Sequence, residues 1–391
     1  MTKVHVMTRL TRSIIFLFFI FLLIQITQSK DVSIVIYILS PYTIVLYIGI
    51  YYKVNRMEVR RVQVTGGSSY VITLPKEWIT SLKIKKNDPL GVYMQSDGTL
   101  LITPKMTQES LQKIKEINLN RTTKESYLLR RLIGAYIAGF TIIKINTPTR
   151  LPSSVRGVVR TFTHIAIGQE VIEETDTSIV LKDLLNPTEM PFDRTIKRMH
   201  IIVKGMYEDS LRALKDKDKN LAHDIVSREN EVDRLNWLVA RQHNIILQNV
   251  SLAEKMNITT NMASTCFLIS RIIERIGDHA VKISENIPAT LDSTLDQKSI
   301  ERIIAAGQLS LDIFNKSITS FFRKDINACN DNIESVDKLE KLCQDINNLA
   351  LKQKGAVALS VGYLVESIRR IGEYSENISE TVMNYLIEQE A

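Results

Sequence analysis

From Phe192 to the C-terminus the chain holds a single proline, Pro288, while its apolar residues recur with the 3.6-residue period of an α-helix. Proline removes a backbone donor and clashes with the preceding turn, so a long stretch nearly free of it can fold as long rods. The pattern predicts a bundle of about six helices. It is also internally repeated. VDRL at 232–235 returns as VDKL at 336–339, and RIGD at 275–278 returns as RIGE at 370–373. The anchors lie closer together in the second copy, which predicts two three-helix units side by side, 192–290 and 291–391, with Pro288 near their junction.

The anchors carry acids. Glu229 and Asp233 are four apart on one predicted helix, and Glu274 and Asp278 are four apart on another. Residues at that spacing project from one helix face, a turn apart. Either pair alone is ordinary surface charge; two pairs at the anchors of a repeat are a stronger signal. Carboxylates gathered on one face repel unless a cation lies among them, and hard divalent cations take oxygen ligands. In the second copy Ile333 replaces the first acid before Asp337, and Arg369 stands where Glu274 stands, before Glu373. The expectation is one competent acidic site, with Arg369 free to pair with Glu373 along its helix. His279 sits one residue, about a hundred degrees, off the acidic face and reads as structural. His200, His223 and His243 carry no spacing signal.

Upstream of the bundle the patterning changes. Residues 107–191 read as a short α+β region, with helices near 124–139 and 153–164 and strands at 141–145, 170–174 and 178–181, closed by a linker marked by Pro187 and Pro191. Arg130, Arg131, Arg150, Arg156 and Arg160 in it read as solvated charges. Residues 57–106 are strand-rich: VRRVQVT alternates, Gly66-Gly67 interrupts, SYVITLP resumes, EWITSLKI looks helical, and LGVYMQ and TLLITP flank the turn Ser96-Asp97-Gly98. A module this small buries too little surface alone and calls for a partner copy.

Residues 1–56 hold two apolar runs, Ser13–Thr27 and Val32–Tyr52. Each approaches the length of a bilayer span, and flanking arginines and lysines would keep both ends on the cytoplasmic side. The competing reading is that translation starts at Met57, immediately before the first domain-like pattern. The formal charge of +7 is concentrated here: Lys3, Arg9, Arg12, Lys30, Lys53 and Arg56 face only Asp31, which leaves +2 for the rest of the chain. Global basicity therefore argues little for nucleic-acid binding, which must rest on a local patch. Cys266, Cys329 and Cys343 sit singly, without metal or disulfide spacing. No nucleophile triad and no glycine-rich phosphate loop occurs, so the sequence does not support an enzyme.

The segments SRENEVDRL (227–235) and SRIIERIGDHAVKISENI (270–287) resemble the acidic motifs of the PhoU family, regulators of the phosphate transporter built from two three-helix repeats. The resemblance implies Glu229, Asp233, Glu274 and Asp278 as ligands of divalent or iron-type metal ions. RRVQVTGGSSYVITLPKEWITSLKIKKNDPL (60–90) resembles the AbrB family of swapped-hairpin dimers, in the SpoVT/AbrB-like variant that archaea fuse to PhoU repeats. That resemblance points to Arg60, Arg61 and Lys76 as DNA contacts, with Lys83, Lys85 and Lys86 secondary and Trp78 a core aromatic. The fold class expected is mostly α with a small dimeric β module, a short α+β middle region and a six-helix domain. The function implied is a non-enzymatic, cytoplasmic regulator of phosphate uptake. Its expected partners are a second copy through the AbrB-like module, promoter DNA, and a phosphate ABC transporter or its signalling partner. Two alternatives stand beside it: a purely transcriptional regulator whose helices are a scaffold, and a membrane-tethered accessory subunit anchored by residues 1–56.

Overall fold

The computed structural model describes residues 33–40, 43–49, 58–94, 98–104, 113–120, 122–291, 295–351 and 355–390. The chain divides into two units, Met1–Thr107 and Gln108–Ala391. In the first, β1 (Ser33–Ser40) pairs antiparallel with β2 (Thr43–Gly49). These strands belong to the second apolar run, so the helical membrane hairpin expected of residues 1–56 is not formed by its second limb. The run is dominated by Ile, Tyr and Val, whose branched or aromatic side chains suit a pleated strand. The first run lies outside the described residues. Among those described, no helix is long and apolar enough to cross a membrane.

Next, β3 (Gln63–Thr65) and β4 (Ser69–Val71) form a hairpin whose turn holds Gly66 and Gly67 at φ +64° and +84°, a conformation glycine adopts without penalty. Pro75 then precedes the short helix α1 (Lys76–Ser81), and β5 (Gly91–Met94) pairs with β6 (Leu100–Thr103). No described residue from 58 to 104 is buried. Val59, Tyr70 and Met94 are 83, 78 and 79% exposed, so the apolar side chains of this module find no core among the described residues.

The second unit opens with a mixed sheet. Its strands, β7 (Ile114–Asn118), β8 (Ile142–Asn146), β9 (Gln169–Glu174) and β10 (Ser178–Asp183), lie in the order β7-β8-β10-β9. The parallel pair β7 and β8 is joined through α2 (Glu125–Ile137), and α3 (Ser153–Ile165) leads from β8 to the β9–β10 hairpin. Ile117, Leu132, Ile143, Ile145 and Phe162 fill its core.

The bundle follows: α4 (Phe192–Asp216), α5 (Lys219–Ile246), α6 (Val250–Lys255), α7 (Thr260–Leu291), α8 (Gln297–Arg323), α9 (Ile326–Glu334), α10 (Val336–Ala350) and α11 (Ala356–Gln389). Six long rods are present as expected. The short α6 is additional, and the fifth rod is split into α9 and α10 at Ser335, whose Oγ donates to the Asp331 carbonyl at 2.8 Å. The first connection of each repeat is built the same way. Lys217 and Lys324 end their helices in the left-handed conformation, at φ 58° and 55°. Asp218 and Asp325 then cap the next helix, accepting from the backbone N–H groups of Leu221 and Ala328 at 3.0 and 2.9 Å. An aspartate in this position satisfies a donor that the first turn leaves unpaired.

The mixed sheet is fastened to the bundle by α5. Arg241, 2% exposed, donates to the Asp183 carboxylate and lies 4.8 Å above the Tyr136 ring. Gln242 donates to the carbonyls of Pro187 and Met190, Asn244 to that of Ile137, and Trp237 packs on the sheet core. One helix thus contributes to two cores.

Candidate functional site

The acids predicted to converge are brought to one place. Glu229 and Asp233 lie on α5, Glu274 and Asp278 on α7, and these two helices pack along their length. They do so because Val232, Leu235 and Val239 of α5 and Ile273, Ile276 and Ala280 of α7 share the core. The acids lie beside that seam and are half-buried. Gly277, one residue from Asp278, lies in this packing: a Cβ built there would meet Val203 and Val232 at ordinary contact distances of 3.4 and 3.7 Å.

Burial raises all four carboxyls, and neighbouring acids add to the rise at Glu229, Asp233 and Glu274. Burial lifts the Asp233 carboxyl to about 6, with Asp278 adding to the rise. Burial lifts Glu274 to about 7, helped by Asp278 and Asp233 and opposed by Arg271 and Arg275. Glu229 is raised by burial, then by Asp278, Asp233 and Glu285, and it is close enough to Asp278 for the two carboxyls to share a hydrogen bond. Asp278 is raised by burial, against the pull of Lys282 and Arg275. Glu285 is a contributor that the motif reading missed. It stands seven residues after Asp278, two turns along the same face, and that spacing was the available signal.

The donor set is all oxygen, which suits a hard cation. As placed, no group of three or more His, Cys, Asp or Glu side chains among the described residues is arranged to hold a metal ion. The four carboxylates share a face without closing around a point. His279 turns away from them. Its ring packs on Tyr374 with centroids 5.6 Å apart, and burial, then Lys282 and Arg370, bring it down to about 4, so it is neutral near pH 7.

The second repeat is different. Arg369 grips Glu366 with two hydrogen bonds of 2.8 and 2.9 Å and also donates to Glu373. Arg370 joins the same two carboxylates at 2.9 and 3.1 Å. Glu366 is correspondingly held below the usual glutamate value, by Arg369 first. One turn on, Glu376 is raised by burial and then by Glu380, Glu340, Glu373 and Asp337.

The basic residues singled out in the hairpin module show no comparable convergence. Arg60 is ion-paired with Glu58; Arg61 and Lys76 are exposed, on the approach to β3 and at the start of α1. The three share no partner among the described residues. Trp78 is half-buried. Arg156, read as a solvated charge, is tied to Glu174 at 2.6 Å and to the Leu151 carbonyl at 2.9 Å.

Comparison with known proteins bears on both halves of this geometry. The profile of the PhoU domain matches residues 196–287 and again 303–382, which places one copy on each three-helix unit. The chain thus matches the PhoU domain twice. A second profile, "Antidote-toxin recognition MazE, bacterial antitoxin", matches residues 63–109, the hairpin module. Among curated proteins, the "Phosphate-specific transport system accessory protein PhoU homolog" of Clostridium acetobutylicum is 22% identical over 200 residues, which are 49% of this chain and 88% of that protein. Among solved structures, PhoU from Pseudomonas aeruginosa has a TM-score of 0.46 at 17% identity, covering 51% of this chain and 96% of that one. The phosphate transport system regulatory protein PhoU from Streptococcus pneumoniae has a TM-score of 0.42 at 16% identity, covering 50% and 92%.

Proposed function

We propose that this chain is a non-enzymatic, cytoplasmic regulator of phosphate uptake whose first PhoU repeat binds a divalent or iron-type metal ion between α5 and α7. The observation that carries the metal reading is the gathering of Glu229, Asp233, Glu274 and Asp278 on one half-buried face with all four carboxyls raised. Like charges held together store an electrostatic cost that a cation relieves. Binding requires the side chains to close on the ion by rotamer changes, since as placed they do not surround one. The phosphate role is supported by the two PhoU-domain matches and by the C. acetobutylicum relative, a phosphate-transport accessory protein by name. A phosphate ABC transporter, or the signalling protein that reads it, is the partner this implies.

The hairpin module joins two copies of the chain. What supports this is a strand-rich segment with no buried residue and with Val59, Tyr70 and Met94 largely exposed. Promoter DNA is the ligand we assign to that dimer, through Arg61 and Lys76, with Arg60 partly neutralised by Glu58. The decisive experiment has two arms on the purified protein. Metal content and Mn²⁺ affinity are compared with Glu229→Ala/Asp233→Ala; unchanged binding removes the acidic-site reading. Anisotropy on promoter DNA of a phosphate-transport operon is followed across a salt series, beside Arg60→Ala/Arg61→Ala. Salt-sensitive binding that falls in the variant supports transcriptional control. Its absence at physiological salt leaves the module as a dimerisation device.

A further inference from the structure

We propose that Arg369 is a tethered cation that takes, in the second repeat, the place a metal ion takes in the first, so that metal dependence is confined to the first half of the bundle. The inference rests on the metal reading of the first repeat and concerns what the second has in its stead. Aligned on RIGD and RIGE, Glu274 corresponds to Arg369 and Asp278 to Glu373. The position three residues earlier is exchanged in the opposite sense: Arg271 in the first repeat corresponds to Glu366 in the second. An arginine and a glutamate have traded places along one helix face.

The exchange changes the outcome because of direction and geometry. Arg271 of the first repeat makes no ion pair with a described residue; its guanidinium lies 6.0 Å from the centre of the Phe267 ring. It draws the Glu274 proton down but does not cancel the crowding, and Glu274 stays high. Arg369 instead projects among the acids. It holds Glu366 through two parallel N–H···O bonds of 2.8 and 2.9 Å, the fork geometry in which guanidinium and carboxylate match best, and it reaches Glu373 with its remaining nitrogen. Its charge also acts on Glu340 and Cys343 of α10. A positive charge hydrogen-bonded to the acids therefore sits permanently on α11, within electrostatic reach of Glu340 on α10, whereas among the described residues no arginine or lysine forms an ion pair with the four acids of α5 and α7. A guanidinium cannot be deprotonated in a protein or removed by a chelator. The acids left over, around Glu376, define where a metal would have to bind if this assignment were wrong.

Hydrogen exchange on the full chain tests it, with α5 reporting the first repeat and α10 the second, in EDTA and in Mn²⁺. The expected result is Mn²⁺-dependent slowing in α5 and none in α10. In EDTA, Arg369→Met should speed exchange in α11, the helix that holds Glu366, Arg369 and Glu373, on the order of tenfold, the scale of one lost charge-assisted pair. Arg369→Glu should make α10 protection Mn²⁺-dependent; if that variant does not fold, Arg369→Gln serves in its place, with loss of protection in EDTA as the readout. Equal Mn²⁺ protection of α5 and α10 in the natural chain, abolished in α10 by Glu376→Gln, overturns the proposal and leaves the first-repeat metal site standing. If Mn²⁺ affects neither helix, the metal reading itself fails. The tethered cation is then judged by the EDTA arm alone, and unchanged α11 exchange in Arg369→Met overturns it.

Discussion

Glu274→Gln should stabilise the metal-free protein above neutral pH, although it removes a residue we assign to the site. Glu274 rises from an ordinary value of 4.5 to about 7 in the folded chain. Well below pH 4.5 the carboxyl is protonated in both folded and unfolded chains, and the stability it permits is fully present. As the pH climbs from 4.5 to 7 the unfolded chain releases its proton while the native chain keeps it, so stability falls, and above 7 the loss is complete. At 1.36 kcal/mol per pKa unit the whole shift corresponds to roughly 3 kcal/mol. The carboxyl is about half exposed, and screening brings the expectation down to about 1–2 kcal/mol. Glutamine has the shape of the protonated acid and never ionises. Thermal unfolding in EDTA between pH 4.5 and 8.5 should show coincident curves at the acid end, with the variant melting roughly 2–4 °C higher at pH 8. Saturating Mn²⁺ should reverse the order, because the variant has lost an anionic ligand. Parallel profiles for the two proteins, or a variant less stable than the parent at pH 8 in EDTA, would refute the crowding on which the site rests.

Two further outcomes follow from the packing. Arg241→Met leaves the Asp183 carboxylate buried without its partner and should cost about 3–5 kcal/mol in urea unfolding, while Arg241→Met/Asp183→Leu should recover most of it. Val64→Asp/Leu100→Asp places charge on two apolar side chains that are each 62% exposed in the single chain, and light scattering should report a dimer converted to monomer if these residues meet a second copy.

How much of this was legible depended on how far each signal reached along the chain. The acidic face was readable because helix geometry converts a four-residue spacing into a shared face, and because the repeat supplied two such faces. The exchange of Arg369 for Glu274 was visible as a departure from the motif, but its partner Glu366 lay outside the motif and was missed. The capped connections at Lys217-Asp218 and Lys324-Asp325 went unread, although an aspartate before a helical period marks a start. By contrast β7 is five residues long, IKEIN, and gives no clear alternation; only its pairing with β8 makes it a strand. The apolar run behind β1 and β2 had the length of a membrane helix, and a continuous apolar run does not distinguish strand from helix by period. The Arg241–Asp183 pair spans 58 residues with no periodic signal, so the attachment of the mixed sheet to the bundle appeared only in three dimensions.

That attachment decides what a change at the acidic face can do. Asp233 and Arg241 are eight residues apart on α5, about 12 Å along the axis, with no proline or glycine between them. A helix of this kind moves as a rod, so a shift of α5 as carboxylates close on a cation is delivered to Arg241. The sheet region must then either follow or break a buried ion pair at a cost of about 3–5 kcal/mol. Coupling energies between ligand sites typically run to about 1–3 kcal/mol, less than that cost, so the sheet follows. Its first strand, β7, is also held to the bundle side, for Lys113 just before it donates to Gln248, just beyond α5, at 3.2 Å. Under the metal reading, the mixed sheet is therefore the mechanical output of the first repeat, and Arg241→Met should uncouple metal binding from any change in hydrogen exchange of the mixed sheet without altering Mn²⁺ affinity by more than the coupling energy itself.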